Sequence, residues 1–213
     1  MDATDAIFYI IILIMSVVIH EISHGFMAEY FGDKTARFAG RLTLNPIKHL
    51  DLFGSILLPA ILVLTRAPFL FGWAKPVPYN PNNLSNRKWG TIAVASAGVL
   101  ANLAIAILFG LFIRFATSFG LPPYDPFSPH PFYKITFIIV MLNIGLAIFN
   151  LIPIPPLDGS KIFFNLLPRA FWGAINFIEN YSFVLIIVFI MFFSDYLYPV
   201  LTFLFHIITG LYL

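Results

Sequence analysis

Two histidines and a glutamate lie close together in an apolar stretch near the start of the chain. His20 and His24 are four residues apart, and Glu21 follows the first of them. A helix places residues four apart on one face, so both imidazoles can bind one metal ion, and the glutamate can take a proton from a metal-bound water. All three lie in the run from Ala6 to Phe31, where an unpaired charge costs about 2.5–3.5 kcal/mol at the membrane centre. The pattern predicts a hydrolytic zinc site, with one Zn²⁺ per chain, inside a membrane helix.

The third zinc ligand is predicted to be Asp158. A catalytic zinc uses three protein ligands and leaves one position to water, and the chain contains no cysteine. Asp158 follows an apolar run from Ile135 to Ile152 and a break that carries prolines at 153, 155 and 156. Prolines end the helix, and irregular backbone at membrane depth is tolerated where it is buried in protein or lines a watery cavity. Such a position suits a buried ligand.

The composition predicts an α-helical polytopic membrane protein with about five to six transmembrane helices. Hydrophobic residues make up 60% of the 213 residues and charged residues only 10%, a balance typical of integral membrane proteins. We expect a single domain over residues 1–213, with no internal repeat and no appended soluble domain. Its predicted parts are a zinc helix at 6–31, a re-entrant or loop region at 32–90, a helix at 92–117, the Asp-ligand helix at 135–159 and C-terminal helices at 177–213.

The direction of the helices constrains the segment between the first two spans. The zinc helix and the run at 135–152 both carry their predicted ligands towards their C-terminal ends, so the two helices must run in the same direction. An odd number of crossings then lies between them, and residues 92–117 supply one. Residues 51–73 therefore contribute none or two, and we expect a re-entrant element there. A short strand is predicted at 37–44, where apolar and polar residues partly alternate, and a proline-set strand or loop at 73–81.

The charge distribution predicts the membrane orientation and excludes one class of partner. The net charge is only +2, and the basic residues are scattered, so a nucleic-acid partner is not expected. The loop after the first span is the densest in Lys and Arg, which predicts that it is cytoplasmic, that the N-terminus is outside and that the zinc site lies towards the cytoplasmic side. The acidic start and the absence of a small-residue cleavage site predict a retained span rather than a signal peptide.

Two further polar residues in apolar runs have open interpretations. Asn102 lies among small residues in the second long helix, where it could form an interhelical hydrogen bond or act at the metal. His206 stands alone in the last apolar run and is interpreted as a packing residue.

These segments together resemble the site-2 protease family of intramembrane zinc metalloproteases. The zinc helix around His20–His24 is similar to the zinc helix of that family, and the segment Asn150–Gly159 resembles its second motif position by position. The segments Gly72–Pro78 and Ala97–Asn102 are similar to parts of compact bacterial members. The similarity covers roughly residues 6–165, and Val99 departs from the proline that many members carry at that position.

The resemblance implies a reaction and a substrate. It implies that His20, His24 and Asp158 bind zinc, that Glu21 is the catalytic base, and that the substrate is a transmembrane segment of another protein, cut within or near the lipid bilayer. It also implies that Asn150 helps to hold the unwound substrate backbone, and Asn102 is a further candidate for substrate binding. Many members carry a PDZ or nucleotide-binding domain that controls access, and this sequence shows neither.

Two alternatives come from other functional classes. Histidines and carboxylates in spans also occur along ion paths, so a metal-binding transporter or sensor is one alternative. Transporters usually show repeats or paired discontinuous helices, and the sequence shows neither. An inactive protease-like binding protein is the other alternative, although such a protein would be expected to lack Glu21 or a ligand. The sequence leaves the oligomeric state open.

Overall fold

The computed structural model describes residues 3–57, 61, 64, 65 and 74–212, and its regular elements over those residues are helical. Eight α-helices are found in this part of the chain: α1 (Ala3–Tyr30), α2 (Thr35–Phe38), α3 (Arg87–Arg114), α4 (Pro131–Asn150), α5 (Asp158–Leu166), α6 (Trp172–Asn180), α7 (Ser182–Phe193) and α8 (Leu197–Thr209). Short 3-10 turns and one π-type turn at Leu52–Leu57 join some of them.

Three of these helices are long and apolar enough to cross a membrane. They cover Ile7–Tyr30, Arg87–Arg114 and Pro131–Asn150. Helices α6 and α7 are long and apolar enough only when they are taken together, and a bend of 76° separates them. Helix α8 has 13 residues, fewer than the roughly 17 that a span needs. The described residues therefore contain three to four candidate spans, and the five to six predicted from the sequence are not confirmed.

Helix α3 lies at the centre of the bundle and contacts α1, α4, α5 and α8. It begins one residue after Asn86, whose side chain accepts a 3.0 Å hydrogen bond from the Trp89 amide and so caps the helix. Towards its start it reaches His24 of α1, and further along it reaches His20. Because the order of contacts is reversed, α1 and α3 run in opposite directions.

Helix α4 runs in the same direction as α1. Asn143 of α4 donates a 3.0 Å hydrogen bond to Ser16 of α1, and Asp158, beyond the end of α4, meets His20 further along α1. This order confirms the shared direction that was predicted for the two helices. Helix α4 starts at Pro131, a residue favoured in the first turn.

The proline break after α4 turns the chain back into the bundle. Residues 151–157 are irregular, and the Pro155–Pro156 peptide bond is cis. Asp158 then starts α5. A Cβ on Gly159 would lie 2.2 Å from the Leu151 carbonyl oxygen, so the close approach of α5 to the break requires glycine there.

The segment between α1 and α3 begins and ends at the same end of the helix bundle. The Phe31 carbonyl accepts a 2.8 Å hydrogen bond from the Ser85 amide, so the end of α1 and the start of α3 lie side by side. This agrees with zero or two crossings in between. Residues 74–80 form a loop without regular secondary structure, one of the two forms predicted, and residues 58–60, 62–63 and 66–73 lie outside the described residues.

The strand predicted at 37–44 is wrong. Thr35–Phe38 is a turn of helix, and residues 39–45 are irregular. The Asp33 carboxylate accepts hydrogen bonds from the amide and the hydroxyl of Thr35, and this side-chain-bonded turn leads into the turn of helix. A few alternating residues cannot outweigh such local hydrogen bonds without a partner strand.

The largest apolar cluster lies away from the predicted zinc site. It joins α3, α4 and α8, and it is centred on Val140, Ile144 and Phe205, which have no exposed surface. This packing fixes the position of α4 relative to α3, and the proline break extends from that anchored helix.

Candidate metal centre

Three ligand atoms from two distant parts of the chain converge beside α3. His20 Nε2 lies 3.1 Å from Asp158 Oδ2 and 3.0 Å from His24 Nε2. His24 Nε2 is 3.0 Å from the same Asp158 oxygen. The three residues are only 5%, 8% and 5% exposed, in the order His20, His24, Asp158. The structure thus places the two halves of the predicted site together.

The donor set fits a zinc ion. The Val94 carbonyl can only accept, so His24 Nδ1, at 2.7 Å, must donate to it, and the neutral ring then presents a lone pair at Nε2. Lone pairs from two imidazoles and a carboxylate repel one another at these distances unless a cation lies among them. Ligands held at about 2.0–2.1 Å by a tetrahedral zinc lie roughly 3.3 Å apart, close to the separations of the three atoms.

Gly98 on α3 leaves room for the two imidazoles. A Cβ at this position would lie 2.6 Å from His20 Cε1 and 2.6 Å from both Cε1 and Nε2 of His24, closer than real contacts allow. Any other residue would displace the rings. The backbone of α3 therefore forms the floor of the metal centre.

Glu21 lies in the wall of the same cavity, which has a volume of about 110 Å³. Its Oε2 accepts a 2.8 Å hydrogen bond from the backbone N–H of Val77, in the loop at residues 74–80. The loop also supplies Pro76 and Tyr79 to the cavity wall. The carboxylate that the sequence predicts as the base is thus held by the loop beside the ligands.

Lys161 contacts the second oxygen of Asp158. Its Nζ donates to Asp158 Oδ1 at 3.2 Å, while Oδ2 faces the histidines, and it lies 5.9 Å from the centre of the Tyr79 ring. The lysine side chain is 40% exposed and forms part of the cavity wall. It is the cation nearest to the ligand set among the residues that the structure describes.

The structure separates the two asparagines predicted near the site. Asn150 lines the cavity and donates to the Leu146 carbonyl at 3.0 Å. Asn102 is fully buried behind His20 and does not line the cavity, so its position does not favour the predicted contact with substrate. His206 stacks on Tyr212 with ring centres 3.8 Å apart, in agreement with a packing role.

Several contributors to the site were not predicted. Val94 and Val77 act through backbone atoms, which leave no signature in residue type. Gly98 lies in a stretch of small residues that predicts close helix contact, but the partner rings could not be identified from it. Lys161, three residues after Asp158, could have been found, because residues three apart share a helix face.

Comparison with known proteins identifies the family. The chain matches the family described as Peptidase family M50 over residues 8–128 and 125–194. It is 38% identical over 183 residues to "Putative zinc metalloprotease YwhC" of Bacillus subtilis. The aligned region covers 85% of this chain and 78% of that protein. No solved structure is significantly similar to the chain.

More distant relatives carry a similar name. "Putative zinc metalloprotease Rip2" of Mycolicibacterium smegmatis is 32% identical over 147 residues, or 68% of this chain and 52% of Rip2. Rip2 of Mycobacterium tuberculosis is 30% identical over 146 residues, again 68% of this chain and 52% of the relative. The chain thus spans about half the length of the Rip2 proteins.

The extent of these matches shows that the chain belongs to peptidase family M50. The predicted resemblance to the site-2 protease family is therefore confirmed, and so is the predicted class of enzyme, a zinc metalloprotease of the membrane. The three to four apolar candidate spans agree with a multi-pass membrane protein.

Proposed function

We propose that this chain is an intramembrane zinc metalloprotease in which His20, His24 and Asp158 bind the zinc and Glu21 is the general base. The observation that carries this assignment is the convergence of three buried ligand atoms, each within 3.1 Å of the others. Glu21 shares the cavity with all three. A transporter would not need a carboxylate beside the ligand set, and an inactive relative would not need to keep it.

The chain's own residues would move the proton. A zinc ion held here would supply a Lewis acid and a water that is nucleophilic at neutral pH. Glu21 would accept the proton of the attacking water and pass it to the leaving amine of the cut peptide. The N–H of Val77 orients the Glu21 carboxylate during both transfers.

The proposed substrate is a transmembrane helix of another protein. An open apolar groove of about 600 Å³ runs between α1, α4 and α8, and Phe149 at one end of it adjoins Asn150 in the cavity wall. A helix in this groove would have to unwind before its carbonyls could react, because they are hydrogen-bonded internally. Asn150 would hold the unwound backbone.

The proposed orientation places the metal centre towards the cytoplasm and the N-terminus outside. The end of the bundle that carries the site also carries Lys34, Arg37 and Arg41 after α1 and Arg87 and Lys88 at the start of α3. The opposite end carries Arg114 and Lys134. The excess of basic residues favours the cytoplasmic side for the metal centre. Residues 51–73 are proposed to enter the membrane and return, since α1 ends where α3 begins.

Zinc analysis of the full chain, purified in mild detergent without chelator, tests the ligand assignment. We expect close to one zinc per chain in the wild type, and loss of zinc in His20→Ala and in Asp158→Ala. Zinc retained by Asp158→Ala would overturn the ligand set. No zinc in the wild type would overturn the proposed metal centre.

Cleavage of a labelled single-span peptide in proteoliposomes tests the base. The peptide carries a central Gly-Pro break, and an uninterrupted poly-Leu span serves for comparison. We expect the wild type to cut the broken span, Glu21→Gln to bind zinc without cutting, and Glu29→Gln, on the same helix but paired with Arg37, to behave as the wild type. Cleavage by Glu21→Gln would show that another group is the base.

A further inference from the structure

Asn102 is a fully buried amide in the middle of a membrane helix, and one of its two polar atoms lacks a partner. The residue has no exposed surface. Its side-chain nitrogen lies 3.2 Å from His20 Nδ1, and its Oδ1 has no hydrogen-bond partner among the described residues. A buried amide oxygen without a partner costs about 1–3 kcal/mol, so this atom calls for an explanation.

The unpartnered oxygen raises the question of how the amide is oriented, and the chemistry of His20 decides which end of the amide faces its ring. A histidine that binds zinc through Nε2 carries its ring proton on Nδ1, and that N–H needs an acceptor. The amide nitrogen of asparagine cannot accept a hydrogen bond, whereas its oxygen can. A half-turn of the Asn102 amide exchanges the two atoms, which differ little in shape, and brings Oδ1 to His20 Nδ1.

We propose that Asn102 is a positioning residue that accepts a hydrogen bond from His20 Nδ1 through Oδ1, and so fixes the ring in the orientation and tautomer that bind zinc. The inference rests on the zinc site proposed above. His24 has the corresponding arrangement, in which the Val94 carbonyl accepts from Nδ1. Helix α3 would then hold both histidines, one through its backbone and one through a side chain.

Asn143 offers a matched control. It is also an asparagine with no exposed surface in a membrane helix, and its Oδ1 also lacks a partner among the described residues. Its nitrogen donates to Ser16 and to the Ile139 carbonyl, and within the described part of the chain it forms no hydrogen bond to a proposed metal ligand. Replacing either asparagine removes a buried amide, but only Asn102 touches the metal centre.

The test is zinc affinity, measured by competition with a chromogenic chelator on the full chain in detergent. Asn102→Leu, which removes the acceptor but keeps the number and branching of the side-chain heavy atoms, should bind zinc about 10–100-fold more weakly than the wild type. Asn102→Asp keeps an acceptor that cannot donate, and it should bind zinc within a few-fold of the wild type. Asn143→Leu should also bind zinc as the wild type does. Asn102→Ala replaces the leucine variant if the latter does not fold.

The visible spectrum of the cobalt-substituted protein gives a second readout. We expect the wild type, Asn102→Asp and Asn143→Leu to share one spectrum, and Asn102→Leu to show altered bands because His20 is no longer oriented. Unchanged affinity and spectrum in Asn102→Leu would overturn the inference, as would an Asn102→Asp variant as weak as Asn102→Leu. Failure of the wild type to bind zinc would instead refute the proposed function, so the two failures are distinguishable.

Discussion

The backbone N–H of Val77 donates a 2.8 Å hydrogen bond to Oε2 of Glu21. Both residues line the metal cavity, Val77 in the loop at residues 74–80 and Glu21 on α1. Arg41 in turn fixes the loop, because its guanidinium donates hydrogen bonds to the carbonyls of Lys75 and Pro76 at 2.7 and 3.3 Å. The position of the proposed base is therefore set by a loop more than 50 residues away in sequence.

Val77→Pro should reduce cleavage without affecting zinc. Proline removes the N–H, and Val77 already lies between two prolines, where the favoured backbone is one that proline can also adopt. A hydrogen bond to a charged group contributes about 1.5–3 kcal/mol, so we expect cleavage to fall roughly tenfold or more. Val77→Ala keeps the N–H and serves as the control in the same proteoliposome assay. Equal cleavage by the two variants would show that the N–H does not position Glu21.

Gly98→Ala should abolish zinc binding. The added methyl group would lie 2.6 Å from atoms of both histidine rings, and α3 is too well packed to shift away from α1. Gly145→Ala is the matched control, since that glycine also lies in a membrane helix and the nearest contact of its added methyl group among the described residues would be Leu201, at an ordinary distance of 3.8 Å. Zinc analysis of both purified variants tests this prediction, and full zinc in Gly98→Ala would contradict it.

Lys161→Met should weaken zinc binding by up to about tenfold, since partners of a ligating carboxylate tune metal affinity. The ammonium group holds Asp158 Oδ1 at 3.2 Å and so keeps Oδ2 turned towards the histidines. Lys161→Arg can form the same contact and should recover most of the affinity. Chelator competition measures all three proteins. Equal zinc affinities of Lys161→Met and the wild type would show that the contact between Lys161 and Asp158 does not orient the carboxylate.

The meeting of Asp158 with His20 was predictable from the sequence. Ionisable residues in a span and a proline break at membrane depth are both costly, so each indicates function. The shared direction of α1 and α4 followed from the positions of the predicted ligands alone. The two helices must run in the same direction whatever the number of further spans in the chain.

Other features could not be predicted for physical reasons. The contact between Val77 and Glu21 depends on a backbone N–H, which every residue except proline has. The strand expected at 37–44 was wrong because hydrogen bonds from Thr35 to Asp33 start a helical turn. The alternating pattern there is too short to reveal that competition. The orientation of Asn102 depends on which neighbour faces each end of its amide, and residue type does not encode this.

Asp33 ties the end of α1 to the loop that carries Val77. The carboxylate has no exposed surface, and it accepts hydrogen bonds from the amides of Thr35 and Asn80 and from the Asn83 side chain. Burial raises the pKa of Asp33, but these hydrogen bonds outweigh it and hold the pKa below its ordinary value of 3.8. Because the folded pKa is the lower one, the stabilisation is complete above about pH 4 and is lost as the pH falls through the folded pKa.

Asp33→Asn should lower the thermal unfolding midpoint at neutral pH, because one acceptor becomes a donor that faces other donors, at a cost of about 1–3 kcal/mol. The gap between the wild type and this variant should narrow below pH 4, where the wild-type carboxylate also gains a proton. Unfolding midpoints of the detergent-solubilised proteins between pH 3 and 8 test both statements. Asp125→Asn, at an exposed aspartate in the loop before α4, is the control and should leave the midpoint unchanged. A gap that stays constant down to the lowest pH would show that the charge of Asp33 does not stabilise the loop.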